Sequence, residues 1–168
     1  MNAGRSSVDA SWPSDRRLKL LRQTALFHGF PYGAVRELLS ASRLQSVKKS
    51  RRLFAENEKA PSGFVLADGV LRLEAGASAA PAYAAPPAVI DETALIVDTR
   101  RPTTAIAETN AVVIEIPRAA FLRVLADYPE SARHAQKLMG RRLRRLVDDL
   151  EAALDGREEP AAPETAAR

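Results

Sequence analysis

The sequence predicts a mainly β fold flanked by helices. Helical periodicity is confined to two regions, residues 16–40 and residues 117–154. Between them, from Leu44 to Ile116, apolar residues come in short segments separated by turn residues, which is the texture of brief strands. Inside that run Asp68-Gly69 separates two apolar segments, a pair that tolerates the positive φ angles of a two-residue turn.

Length and composition bound the function. At 168 residues there is room for one domain with a true core, and 46% hydrophobic residues are more than a disordered chain carries. Apolar runs stay short of the roughly 18 residues of a membrane span. The opening MNAGRSSVDASWPSDRR lacks the apolar stretch of a secretory signal. No membrane association and a cytoplasmic location are therefore expected. The absence of cysteine removes disulfide scaffolds, cysteine nucleophiles and thiolate-held metals. A formal charge of +4, from 25 basic and 21 acidic residues, suits an anionic ligand and is weak evidence for nucleic acid.

Residues 1–15 are small and polar and read as a flexible arm, 16–155 as the domain, and 156–168 as a disordered tail. Leu18, Leu20, Leu21, Ala25 and Leu26 mark a helix from Arg16 to Phe27, and AVRELLSAS a second after the Gly29–Gly33 break. Strands are expected at 44–47 and 53–54 around the basic turn KKSRR, then a turn at Glu56-Asn57-Glu58. Phe64 to Ala67 and Val70 to Leu73 read as a hairpin, and the Ala/Pro-rich stretch 75–88 as a loop, with a small-residue strand the alternative. Thr104 to Ala107 and Ala111 to Ile116 are two more strands. Pro117 opens a helix, and another follows Pro129 to about Leu154, with Gly156 as its stop.

The last helix carries Met139, Leu143, Leu146, Leu150 and Ala153 or Leu154 at alternating steps of four and three. Such a short heptad seam suits a homodimer contact or packing on its own domain, and the pattern leaves both open. Its basic residues, Arg141, Arg142, Arg144 and Arg145, are followed by Asp148, Asp149 and Glu151 and read as a solvated face. Salt-sensitive, non-specific nucleic-acid binding through them is a third and weaker reading.

The segment IDETALIVDTRRPTTAI, Ile90 to Ile106, is the most informative. Glu92 opens a short helical turn, whose free amides favour an anion. Arg101, nine residues later, can grip a phosphate in two places, while a carboxylate accepts from a sugar hydroxyl. These are the parts of a pocket for a small ribose-phosphate. The plain alternative is a surface salt bridge between Glu92 and Arg101, or two solvated charges. No Gly-x-Ser-x-Gly, phosphate loop or dinucleotide fingerprint occurs, and His28 and His134 lack metal-ligand spacing, so neither an enzyme nor a resident cofactor is expected.

The order of elements resembles the cyclic nucleotide-binding domain family, which includes bacterial catabolite activator protein and the regulatory subunits of cyclic-AMP-dependent kinase. The resemblance covers most of residues 18–154. It rests on LFHGF at 26–30, KKSRRLFAENEKAPSGFVLADGVLRL at 48–73, IDETALIVDTRRPTTAIAE at 90–108, and VVIEIPRAAFLRVLADYPESA. It implies a jelly-roll β-barrel with N-terminal helices and a C-terminal helix pair. It further implies cyclic AMP or cyclic GMP as ligand. Glu92 would then hold the ribose hydroxyl and Arg101 the cyclic phosphate. The amides of Glu92, Thr93 and Ala94 would complete the cradle, with Thr103 and Thr104 near the phosphate or base.

Departures from the family pattern matter. Asp91 stands where the family has glycine, and a carboxylate beside a phosphate costs on the order of 1–4 kcal/mol in partly buried surroundings. Pro102 removes an amide, while Asn57 and Ser50 replace turn glycines. Only 14 residues follow Leu154, too few for a helix-turn-helix module, so sequence-specific DNA binding is not expected. The expected function is a non-enzymatic cyclic nucleotide sensor that signals through its last helix to a protein partner. The alternative is a degenerate domain serving as an interaction or assembly module.

Overall fold

The computed structural model describes residues 12–76 and 79–155, with side chains described as far as Ala152. Residues 1–11 of the expected arm and the expected tail 156–168 lie outside the described residues, as does the side chain of Leu154.

Two helices lead in: α1, Ser14–Gln23, and α2, Tyr32–Ser40. α1 begins two residues before the expected Arg16 and ends four before Phe27. Thr24 stops it, with extended backbone and a hydroxyl that donates to the Leu21 carbonyl at 2.7 Å. Trp12, assigned to the arm, is buried, with the Arg16 guanidinium 3.7 Å from its ring centroid.

Eight strands follow: β1 Arg43–Val47, β2 Arg52–Phe54, β3 Ser62–Asp68, β4 Leu71–Glu74, β5 Ala82–Ala84, β6 Ala88–Ile90, β7 Thr104–Ala107 and β8 Ala111–Pro117. A 3-10 turn, Glu92–Leu95, sits between β6 and β7, and α3, Arg118–Asp127, and α4, Pro129–Asp155, close the chain. The strands form two antiparallel sheets, ordered β1-β8-β3-β6 and β2-β7-β4-β5, which is the expected jelly-roll with helices at both ends.

Two strand details also differ from the sequence reading. β3 and β4 are not a hairpin, because they belong to different sheets, and Asp68-Gly69 carries the chain across the sandwich. Gly69 has φ +80, and a Cβ there would lie 2.3 Å from the Asn110 carbonyl oxygen. The Ala/Pro-rich stretch 75–88 holds β5, the small-residue strand alternative, and β6 starts at its last residue, Ala88. Their backbones pair with β4 and β3, which short alanine side chains do not oppose.

Alternation divides the core. On β3, Phe64 and Leu66 face the space between the sheets, while Val65 faces the helices. Val113 and Ala111 on β8 face inward, and Ile114 and Ile116 meet Phe27, Phe30 and Phe121 from the helices. Both faces of β3 are thus covered, and six of its seven residues are buried. Among the described residues no helix is long and apolar enough to cross a membrane.

Candidate functional site

The segment after β6 begins with a sharp turn. Asp91 adopts φ 54, ψ 55, the left-handed conformation that favours glycine, and the 3-10 turn starts at the next residue. Ser50 and Asn57, the other two non-glycine residues at expected glycine positions, have φ 64 and φ 65. All three residues adopt the positive φ that glycine favours while carrying a side chain.

That backbone brings Asp91, rather than Glu92, to Arg101. The two form a buried ion pair, Nη1 to Oδ2 at 2.7 Å, with side chains 4% and 3% exposed. Arg101 is fixed from several sides. Its amide donates to the Glu58 carbonyl at 2.9 Å, and its own carbonyl accepts from the Asn57 amide at 2.9 Å. Its guanidinium carbon lies 4.5 Å from the Phe54 ring centroid and 5.0 Å from that of Phe64, rings that stack on each other. Nη2 donates to Ser62 Oγ at 3.4 Å, and Ser62 donates onward to Glu115 Oε1 at 2.9 Å. Gln45 donates to the other oxygen of Glu115, which also pairs with Arg43 at 3.4 Å. Arg101 Nε is buried and has no acceptor.

Glu92 turns to a different partner. One carboxylate oxygen is ion-paired with Arg142 of α4, and the other is buried without a hydrogen-bond partner. Arg142 was expected on a solvated face. It is half-exposed and bridges the closing helix to the turn instead. The plain reading of a Glu92–Arg101 bridge is therefore not what forms.

The remaining expected residues divide. Ala94 is buried, and its amide donates to the Asp91 carbonyl at 3.2 Å, so that amide already has an acceptor inside the turn. Thr93 is exposed at the mouth of the groove described below. Thr104 Oγ1 accepts from the Glu56 amide at 3.0 Å, which ties the pocket edge to the turn after β2. Thr103 is half-buried beside it. Segment 57–60 runs against 99–101, and Arg118 clamps the loop before them, donating to the carbonyls of Ala60 at 3.1 Å and Val97 at 2.9 Å. Gly63 lets the turn approach β3. A Cβ there would lie 2.8 Å from Leu95 Cγ and 3.1 Å from the Asp91 carbonyl oxygen.

Sequence reading missed Ser62, Glu115, Phe54, Phe64 and Arg142. Strand alternation carried a signal for the first four, since Ser62 shares the inward face with Phe64, and Glu115 shares that of Val113. Nothing local marked Arg142 among its neighbouring arginines.

Between the 3-10 turn, α3 and α4 lies an open groove of about 710 Å³ with Glu92, Ile96, Leu125, Met139 and Leu143 on its walls. Met139 packs partly on the helix-side core, whereas Leu143, Leu146 and Leu150 are 63%, 56% and 56% exposed. His28 and His134, distant in sequence, stand with ring centroids 5.8 Å apart, and His134 Nε2 lies 3.0 Å from the Ala25 carbonyl oxygen. Among the described residues no group of three or more His, Cys, Asp or Glu could hold a metal ion.

Comparison with known proteins agrees with the fold. The family model for the cyclic nucleotide-binding domain matches residues 44–128, half of the chain. Among solved structures, the chain is similar to a cyclic nucleotide-binding-like protein from Brucella abortus bv. 1 str. 9-941, at 27% identity and TM-score 0.58, over 66% of this chain and 97% of that one. The sensor domain of the transcriptional regulator DNR from Pseudomonas aeruginosa shares the fold at 21% identity and TM-score 0.67, over 89% of this chain and 98% of that one. Thermus thermophilus Catabolite Activator Protein shares it at 23% identity and TM-score 0.65, over 79% of this chain and 63% of that one. Comparison with curated protein sequences returns no match. With its two-sheet jelly-roll, flanking helices and matched residues 44–128, the chain belongs to the cyclic nucleotide-binding domain family.

Proposed function

We propose that the chain is a non-enzymatic regulatory sensor whose ligand is a cyclic nucleotide and whose output is the position of α4. One observation carries this reading: Glu92, the residue assigned to the ribose, is ion-paired with Arg142 on the closing helix. A ribose hydroxyl at Glu92 and the guanidinium of Arg142 compete for the same carboxylate. Ligand entry therefore weakens the tie between the turn and the helix. A ligand shifts the helix only through its differential affinity for the two positions, and this competition supplies such a difference. Arg101 would receive the cyclic phosphate, with Thr103 and Thr104 at its edge. The exposed Leu143, Leu146 and Leu150 support output along this face, to a protein partner or to a second copy of the chain.

The buried Asp91–Arg101 pair favours a second reading, a domain that has lost nucleotide binding and serves as an interaction module. Calorimetric titration with cyclic AMP and cyclic GMP separates the two. Binding by the wild type that a folded Arg101→Ala variant lacks supports the sensor. Absence of binding to either nucleotide by the folded wild type supports the module.

A further inference from the structure

We propose that Asp91 is an internal counter-anion that stands in the phosphate place on Arg101 and sets the threshold at which an external phosphate can enter. The proposal rests on the reading of Arg101 as the phosphate contact.

A guanidinium 4% exposed and set against two phenyl rings needs an anion, because a buried cation without one is strongly unfavourable. The chain supplies that anion itself. The carboxylate of Asp91 meets Nη1 at 2.7 Å and is 3% exposed, so it is as deeply placed as the cation it serves. Two features mark the pairing as a substitute for a larger anion. Arg101 Nε is buried with no acceptor, a donor that Asp91 leaves unused and that a tetrahedral phosphate has enough oxygens to engage. Asp91 also sits at φ 54, where glycine would carry the same turn with no side chain at all. The carboxylate is thus not needed to build the backbone. What it contributes is charge, placed where a phosphate oxygen would lie.

The consequence is a tax on affinity. Ligand must displace the carboxylate, so the apparent dissociation constant is the intrinsic one divided by the fraction of molecules with Asp91 swung away. Removing the carboxylate should remove that factor. Losing Asp91 leaves Arg101 with the Ser62 hydroxyl as its remaining side-chain hydrogen-bond partner among the described residues, so both variants are checked for folding before titration.

The test uses Asp91→Asn, which keeps the shape and tolerates the left-handed turn, and Asp91→Gly, which relieves it. Both are compared with the wild type by calorimetric titration with cyclic AMP and by thermal melting with and without inorganic phosphate. Nucleotide binding at least about tenfold tighter than wild type, with a phosphate-dependent rise in Tm larger than that of wild type, is the expected result. Phosphate stabilisation of the variants without nucleotide binding by any protein supports the counter-anion role and removes the nucleotide sensor. Folded variants that bind nucleotide no tighter than wild type, and gain nothing from phosphate, overturn the proposal. Wild-type binding in that same experiment leaves the sensor reading standing.

Discussion

Arg142 on α4 is ion-paired with Glu92 at the head of the 3-10 turn, so a helix outside the barrel holds the carboxylate proposed to meet the ligand. The two residues are 50 positions apart in sequence, and the pair ties the closing helix to the segment that carries the candidate ligand contacts. Their neighbours, Asp91 and Arg101, form a second and more deeply buried pair. The site is therefore built of two ion pairs side by side. One faces the barrel interior, and the other faces the helix.

Arg101→Ala leaves Asp91 buried and unpaired, so a loss of about 3–5 kcal/mol in unfolding free energy is expected. The double variant Arg101→Met with Asp91→Asn should lose less than Arg101→Met alone, because no lone charge remains. Urea unfolding of the wild type and the three variants measures both effects, and equal losses in Arg101→Met and the double variant would show that the lone Asp91 carboxylate is not what costs stability.

Gly63→Ala places a methyl group against Leu95 and the Asp91 carbonyl. The turn must move outward, which shifts both Asp91 and Glu92. A destabilisation of roughly 1–3 kcal/mol is expected, as for an overpacked core. Weakened nucleotide binding should accompany it. Unaltered affinity in a folded variant would show that close packing of the turn on β3 does not set the pocket.

Arg118 holds three acceptors of two separate segments: the carbonyls of Ala60 and Val97, and the Asp98 carboxylate at 3.0 Å. Arg118→Ala should raise amide hydrogen exchange across residues 97–101 while β3 and β8 stay protected. Exchange rates unchanged in that segment would remove the clamp from the description.

The stripe of Leu143, Leu146 and Leu150 is largely exposed, so Leu143→Glu with Leu150→Glu should change stability by no more than about 0.5 kcal/mol. Sedimentation equilibrium of wild type and variant then decides between the two readings of the seam. A wild-type dimer that becomes monomeric in the variant supports self-association. A wild-type monomer leaves the stripe to a different partner.

Much of the fold was legible in the sequence because periodicity and turn chemistry are local. The helix carrying Leu18, Leu20 and Leu21, the Thr104 and Ala111 strands, and Asn57 in a left-handed turn all follow from neighbouring residues. The sheet assignment of β3 and β4 was not legible, since Asp68-Gly69 permits a hairpin as readily as a crossing between sheets. What decides is the packing of Phe64 and Leu71 between two layers. At the candidate site, the sequence placed the residues of interest on one segment, and it did not show their partners. Asp91, expected to stand near a phosphate, is ion-paired with Arg101. Glu92 was paired in expectation with a sugar, and its partner in the fold is an arginine 50 residues on, which no spacing rule would select.

If Glu92 is shared between ligand and helix, nucleotide affinity depends on Arg142. Cyclic AMP and cyclic GMP are titrated calorimetrically into wild type and Arg142→Gln under one set of conditions. With the competing guanidinium gone, the variant should bind several-fold tighter, on the order of the 1–3 kcal/mol typical of coupling between sites. Equal affinities for the two proteins, or binding to neither while both are folded, would contradict it.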